Sequence, residues 1–382
     1  MGPRRIVAVG LLAVIATLGI APSAYAEAIG GEKLGQTGRI VDLGPTAEPL
    51  PEIWAEAWIL ADAETGDVLA AKNPHVKRAP ASTLKTLTAL TVLPRTDPDQ
   101  EWTATARAAY QDGSRVGLKP GRTYTLDQLW YAVFLPSAND AAVAVAEANG
   151  GLHKTVRQMN QTAAQLQALD TVAKNPSGLD SPGQVSSVYD LALFGRAGMQ
   201  REDFAHYAGT KKAMFPDVKG KGQHPIYSTN RLLLSGFKGV TGVKTGFTTD
   251  AGRTYIGAAE RGNTSLIVAF MGIKESTEDA ARKLLTWGFK NHDDVTPVGI
   301  LVDPLTDSPS PSAETRTAAP DPVTATVAES STSPATTAMA ELAPSQSSSA
   351  VVYGGALLIA LALSGLVFAF VRRRTARGRH AR

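Results

Sequence analysis

Apolar residues recur along this chain in three rhythms, and each predicts a different kind of element. Short runs at 57–61 and 68–71 flank Glu64-Thr65-Gly66-Asp67 and predict a hairpin. An apolar stretch over 82–93 predicts a buried helix, and 126–134 predicts another. An alanine-rich segment from Asn139 to Ala148 predicts a third, and Val156, Met159, Ala163 and Leu166 recur at helical spacing. Strands are predicted at 239–244, 254–258 and 266–271, with Arg261-Gly262-Asn263 as a turn. An amphipathic helix over 277–290 follows. Strands thus lie at both ends of the segment and helices between them. That order suits an antiparallel sheet closed by its first and last parts, with a helical insertion.

The third rhythm is unbroken apolarity near the ends. Arg4 and Arg5 precede an apolar run at 6–20, and Ala24-Tyr25-Ala26 is a small-x-small cleavage pattern. This predicts an export signal at 1–26, of the general secretory rather than the twin-arginine kind. Residues 351–371 hold no charged side chain and are long enough to span a bilayer. The tail at 372–382 carries six arginines, which places it in the cytoplasm and the bulk of the chain outside. The expected location is the cell membrane, crossed once. A wall-sorting signal is the alternative, but no Leu-Pro-x-Thr-Gly pattern precedes the run; the nearest segment is Leu342-Ala343-Pro344-Ser345.

Composition fills in the middle. Residues 27–50 contain Gly and Pro without periodicity and are expected to form a flexible leader. Residues 303–350 are rich in Ser, Thr, Ala and Pro and cannot bury enough surface to offset chain entropy, so a disordered stalk is expected. One folded domain at 51–295 remains. The 382-residue chain is 43% hydrophobic, which supports a packed core. It has no cysteine, so neither disulfides nor thiol chemistry is available. The net charge of +3 owes much to the arginine tail and gives no sign of nucleic-acid binding. The six histidines show no His-Glu-x-x-His spacing, so no metal is expected.

Three short motifs carry candidate chemistry. Ser82 and Lys85 in Ser82-Thr83-Leu84-Lys85 share one helix face. A lysine whose pKa is lowered by burial or neighbouring cations can take the serine proton, and a helix N-terminus steadies nearby negative charge. Ser137-Ala138-Asn139 falls between two predicted helices. Its hydroxyl could relay a proton to a leaving amine and its amide could bond a substrate backbone. Lys244-Thr245-Gly246 is expected at a strand end, where the lysine and the hydroxyl suit a carboxylate and the glycine permits close approach. Each motif alone is commonplace, since serine and asparagine often cap helices. A phosphate-loop reading of 239–245 fails because Val243 stands where glycine is needed.

Together, Pro80-Ala81-Ser82-Thr83-Leu84-Lys85, Leu135-Pro136-Ser137-Ala138-Asn139-Asp140 and Gly242-Val243-Lys244-Thr245-Gly246-Phe247-Thr248 resemble the low-molecular-mass penicillin-binding proteins, the serine D-alanyl-D-alanine carboxypeptidases. Asn175-Pro176-Ser177-Gly178-Leu179-Asp180 and Thr286-Trp287-Gly288-Phe289 extend the resemblance over most of 55–290. It implies an α/β (α+β) fold of the β-lactamase and penicillin-binding transpeptidase kind. It implies Ser82 as nucleophile, Lys85 as general base and Ser137 as proton relay to the departing D-alanine. Asn139, Lys244, Thr245 and Gly246 would bind the substrate. The backbone N–H groups of Ser82 and of Phe247 or Thr248 would form the oxyanion hole. The implied partners are peptidoglycan stem peptides ending in D-Ala-D-Ala and β-lactam inhibitors, with no cofactor.

The chain departs from the pattern in places. Many relatives carry a β-rich second domain, whereas here a stalk is expected to follow directly. Phe247 stands where the family often has His or Tyr. Arg253 and Lys274 are candidates for the further cation that some relatives place near the substrate carboxylate. A class A β-lactamase would need a glutamate base in the segment 175–180, which has none. A non-catalytic wall-binding module would be expected to lose Ser82 or Lys85, and both are present.

Overall fold

The apolar run at 57–61 is unbroken because both faces of its strand are covered. Successive side chains of a strand point to opposite faces. Ala57, Ile59 and Ala61 join one buried cluster, and Trp58 and Leu60 join another. This two-sided sheet is the centre of the computed structural model, which describes residues 28–217 and 222–305. The expected export signal at 1–26, span at 351–371 and tail at 372–382 lie outside those residues, as does nearly all of the expected stalk. No helix among the described residues is long and apolar enough to cross a membrane.

The strands are β1 (Arg39–Leu43), β2 (Ala55–Asp62), β3 (Asp67–Lys72), β4 (Glu101–Thr103), β5 (Thr123–Thr125), β6 (Lys212–Pro216), β7 (Gln223–Tyr227), β8 (Val240–Thr248), β9 (Gly252–Arg261), β10 (Thr264–Ile273), β11 (Val295–Thr296) and β12 (Gly299–Ile300). The helices are α1 (Lys85–Val92), α2 (Ala106–Ala109), α3 (Leu126–Phe134), α4 (Asn139–Ala148), α5 (Leu152–Gln165), α6 (Val188–Met199), α7 (Glu202–Gly209), α8 (Arg231–Leu234) and α9 (Thr277–Asn291). The main sheet runs β11-β1-β3-β2-β10-β9-β8, with β12 beside β3, and its neighbouring strands are antiparallel. Helix α9 closes one face through Leu284, Leu285 and Trp287. Helices α1, α3, α4 and α6 build the core on the other. The expected antiparallel sheet with a helical insertion is therefore present.

Three boundaries differ from the sequence reading. The segment expected as a flexible leader contains β1, which pairs with β3 and β11, and Leu34 beside it is fully buried. Its Gly and Pro content hid a five-residue strand whose partners lie far along the chain. Order also continues past 295: β12 pairs with β3, and Arg196 donates to the carbonyl of buried Leu301 and to Asp303. The strand expected at 239–244 runs on through Thr248, so the Lys-Thr-Gly motif lies inside it.

His292 ties this C-terminal segment to the sheet. Its Nε2 is 2.8 Å from Asp62 Oδ2 and its Nδ1 is 2.8 Å from Asp293 Oδ1. Burial lowers its pKa, but the hydrogen bonds and charges of Asp293 and Asp62 outweigh burial and hold it above the ordinary value. A raised folded-state pKa stabilises the fold below the unfolded value of about 6.5 and ceases to do so as pH rises through the folded value. His292→Gln is therefore expected to destabilise by about 1 kcal/mol near pH 5.5 and by much less near pH 9. Denaturant unfolding at the two pH values checks this; an equal loss at both would refute the linkage.

Candidate active site

Ser82 lies in a 3-10 turn, Ala81–Leu84, that leads directly into α1. Positions i and i+3 eclipse in that geometry, which sets Ser82 over Lys85. Lys85 Nζ is 2.9 Å from Ser82 Oγ. The turn is held in an unusual backbone: Ala81, a buried alanine, has φ 49°. Two glycines press on it from either side. A Cβ at Gly178 would lie 1.9 Å from the Ala81 carbonyl oxygen, and one at Gly246 would lie 2.8 Å from the Ser82 nitrogen. Only glycine lets both the 175–178 loop and β8 reach the serine.

The Lys85 amine is buried, with 1% of the residue exposed, and has three partners. It donates to Asn139 Oδ1 at 2.7 Å and to the Ser177 carbonyl at 2.6 Å, besides its contact with Ser82. The asparagine amide cannot turn around, because its Nδ2 donates to the Asp112 carbonyl at 2.7 Å. Burial, followed by repulsion from Lys244, drives the Lys85 pKa well below the ordinary lysine value, against an opposing pull from Asp140. A neutral amine has two N–H donors and one lone pair. The two carbonyl oxygens take the donors, and the lone pair is left for the Ser82 hydroxyl. Lys85 is thus arranged to accept the proton of Ser82.

Ser137 comes from the connection between α3 and α4, with φ 61°. Lys244 on β8 donates to Ser137 Oγ at 2.7 Å and to the Thr245 carbonyl at 2.8 Å. Burial lowers the Lys244 pKa to about 7. Thr245 Oγ1 lies 2.7 Å from Thr229 Oγ1. Ser82, Ser137, Thr245 and Gly246 line one cleft of about 790 Å³. β8 is an end strand of the sheet, and its Thr245, Gly246 and Phe247 line this cleft.

Every expected site residue converges here, with two differences of placement. Asn139, expected to bond a substrate backbone, is 3% exposed and meets Lys85 through Oδ1 and the Asp112 carbonyl through Nδ2. Lys244, expected with Thr245 to hold a carboxylate, is 1% exposed and lies behind Ser137 and Thr245. Of the further cations, Lys274 lines the cleft but is paired with Glu56 at 3.2 Å. Exposed Arg253 also lines it. The sequence reading missed the Ser177 carbonyl, since a backbone oxygen leaves no residue signature. It also missed Asp140, whose carboxylate accepts the N–H groups of Val116, Gly117 and Leu118 and so fixes the loop beneath Ser114.

Known proteins resemble this chain in sequence and fold. A relative from Mycobacterium tuberculosis H37Rv, D-alanyl-D-alanine carboxypeptidase DacB2, is 40% identical over 248 residues, 63% of this chain and 84% of that protein. Escherichia coli K12 DacD, also named a D-alanyl-D-alanine carboxypeptidase, is 36% identical over 65% of this chain and 66% of its own length. Among solved structures, a D-alanyl-D-alanine carboxypeptidase from M. tuberculosis H37Rv superposes with a TM-score of 0.63 at 37% identity, covering 69% of this chain and 99% of that one. The Streptomyces K15 DD-transpeptidase superposes with a TM-score of 0.60 at 26% identity, covering 64% of this chain and 100% of that one. Residues 45–275 match the peptidase S11 family, described as D-alanyl-D-alanine carboxypeptidase, and the chain belongs to that family.

Proposed function

We propose that this protein is a serine-type D-alanyl-D-alanine carboxypeptidase that trims the terminal D-alanine from peptidoglycan stem peptides. The observation that carries the reading is the buried Lys85 amine, with two carbonyl acceptors and its third contact on Ser82. Neutral Lys85 takes the Ser82 proton as Oγ attacks the carbonyl between the two D-alanines. The backbone N–H groups of Ser82 and Phe247 receive the oxyanion. The C–N bond breaks, the proton passes through Ser137 to the departing amine, and an ester on Ser82 remains. Thr245 binds the terminal carboxylate, with the Lys244 charge behind it. Water then hydrolyses the ester. A β-lactam enters the same path and stays on Ser82. A β-lactamase reading lacks its glutamate: 175–180 has none, and the cleft's Glu275 and Glu278 are paired with Lys283 and Arg282.

The chain is exported and anchored in the cell membrane with its catalytic domain outside. Support comes from the signal pattern at 1–26, the uncharged run at 351–371 and the arginines after it. Where the cell wall lies outside the membrane, this puts Ser82 on the side of its substrate.

Ser82→Ala is expected to abolish covalent labelling by fluorescent penicillin and to lower D-alanine release from a pentapeptide by about 10⁴-fold or more. Undiminished labelling would sink the assignment. The kcat/KM for D-alanine release is expected to be bell-shaped in pH. It rises as Lys85 loses its proton and falls as Lys244 loses its charge near pH 7. A profile that falls on raising the pH from the acid side would contradict the general-base role of Lys85. The full-length chain is expected to sediment with membranes and a chain ending at 350 to stay soluble. Identical fractionation of the two would refute the anchor.

A further inference from the structure

Of the chain's five tryptophans, Trp54 alone stands in the open. Trp58, Trp130 and Trp287 are buried and Trp102 is half-buried, whereas Trp54 is 64% exposed. A large aromatic ring left in water forgoes the burial that usually draws it into a core or an interface. Its backbone is nonetheless held. The Trp54 N–H donates to Glu275 Oε1 at 2.8 Å, and the Trp54 carbonyl accepts the Lys274 N–H at 2.7 Å. Lys274 and Glu275 both line the catalytic cleft, so Trp54 stands at its rim.

The sheet sets the distance from the serine. β8 ends, β9 begins, β10 ends and β2 begins at one end of the sheet. Phe247, Arg253, Ile273 and Ala55 pair in one row across these strands, and Trp54 precedes Ala55. Three strand spacings put Ala55 about 14 Å from Phe247. With the terminal carboxylate at Thr245 and the scissile carbonyl at the Phe247 N–H, the rest of the stem peptide leaves β8 toward this end of the sheet. Four stem residues separate that carbonyl from the sugar that carries the stem, and extended they also cover about 14 Å.

The charges near the ring choose the kind of ligand. Glu52 pairs with Arg39, Glu56 with Arg78 and Lys274, and Glu275 with Lys283. These pairs leave little net charge and many hydrogen-bonding groups. Such a surface suits neither an anionic lipid layer nor a strongly charged peptide. It suits a neutral ring with many hydroxyl groups, whose C–H face packs on the indole while its polar edge meets the ion pairs. An N-acetylated hexosamine is a ring of this kind.

We infer that Trp54 is a saccharide platform that binds the glycan carrying the stem peptide, so that the enzyme prefers stems still attached to sugar. The inference rests on the carboxypeptidase reading and adds a binding site outside the reacting groups. No bond of the sugar is made or broken.

The test gives the full-length chain two substrates. One is a free pentapeptide ending in D-Ala-D-Ala. The other is the same pentapeptide on an N-acetylglucosaminyl-N-acetylmuramyl disaccharide. The disaccharide form is expected to have the higher kcat/KM, through a lower KM. Trp54→Ala is expected to lower kcat/KM for it by about tenfold and to leave the free pentapeptide within about twofold, with Trp54→Phe recovering part of the loss. A tetramer of N-acetylglucosamine is expected to change the tryptophan fluorescence of the wild type and not that of Trp54→Phe. Equal use of the two substrates by the wild type, or an equal loss on both in Trp54→Ala, overturns the inference and leaves the carboxypeptidase reading standing. If neither substrate is cut, the carboxypeptidase reading fails and the fluorescence titration decides the platform: a change that Trp54→Phe removes upholds it, and no change overturns it.

Discussion

Two lysines buried in one interior set the terms for the rest of this site. Lys85 and Lys244 are each 1% exposed and close enough to repel. Burying one cation without a partner is costly, and burying two adjacent ones is more so. Part of the compensation is Asp140, whose charge pulls against the loss of the Lys85 proton. That carboxylate is itself held by four backbone N–H groups, from Val116, Gly117, Leu118 and Ala141, so its charge is tolerated in the interior. The remainder is met by proton loss. In the proposed mechanism a lysine that gives up its proton in the dry interior is the base the serine needs, so the strain of burial and the chemistry of attack would have one origin.

The surrounding fold reads as support for that arrangement. All eight residues of α1 are buried, which gives the lysine a rigid base. Thr88 Oγ1 donates to the Pro176 carbonyl at 2.7 Å and anchors the loop that supplies the Ser177 oxygen. The Asn175 side chain ties that loop internally, accepting from the backbone of Ser177 and Gly178 and donating to Leu179. Thr254 reaches from β9 to the Pro80 carbonyl at 3.0 Å and fixes the turn before Ser82. Each contact would be an ordinary loop hydrogen bond elsewhere. Here they determine whether the amine faces two carbonyls and one hydroxyl, or something else.

Much of this was legible in the sequence, for reasons that also explain what was not. The central strands announced themselves because their apolar runs are short and bounded by turns, and the nucleophile because serine and lysine at i, i+3 need no distant partner. Helix α6 escaped notice because it is buried almost all round, from Val188 through Gly198, so its apolar residues show no stripe. Strand β1 escaped because its stability comes from β3 and β11, which no local pattern reveals. Of the motif residues, Ser82, Ser137, Thr245 and Gly246 line the cleft, whereas Lys85, Asn139 and Lys244 are buried. Motif position says which side chains meet; it does not say which of them reaches solvent. Asn139 and Lys244 lie one layer behind the cleft, and that depth is a property of packing alone.

The depth of Lys244 has a consequence for the order of events. Burial lowers its pKa to about 7 and so weakens its hold on the proton. A carboxylate settling at Thr245, next to Lys244, favours the charged form of that lysine. A charged Lys244 in turn disfavours a charged Lys85, since repulsion between them is already a cause of the Lys85 depression. In the proposed reaction a carboxylate at Thr245 would thus favour a cation behind it and a free amine beside Ser82. A ligand without that carboxylate lacks this push, so recognition of the peptide terminus and activation of the serine are linked through one electrostatic interaction.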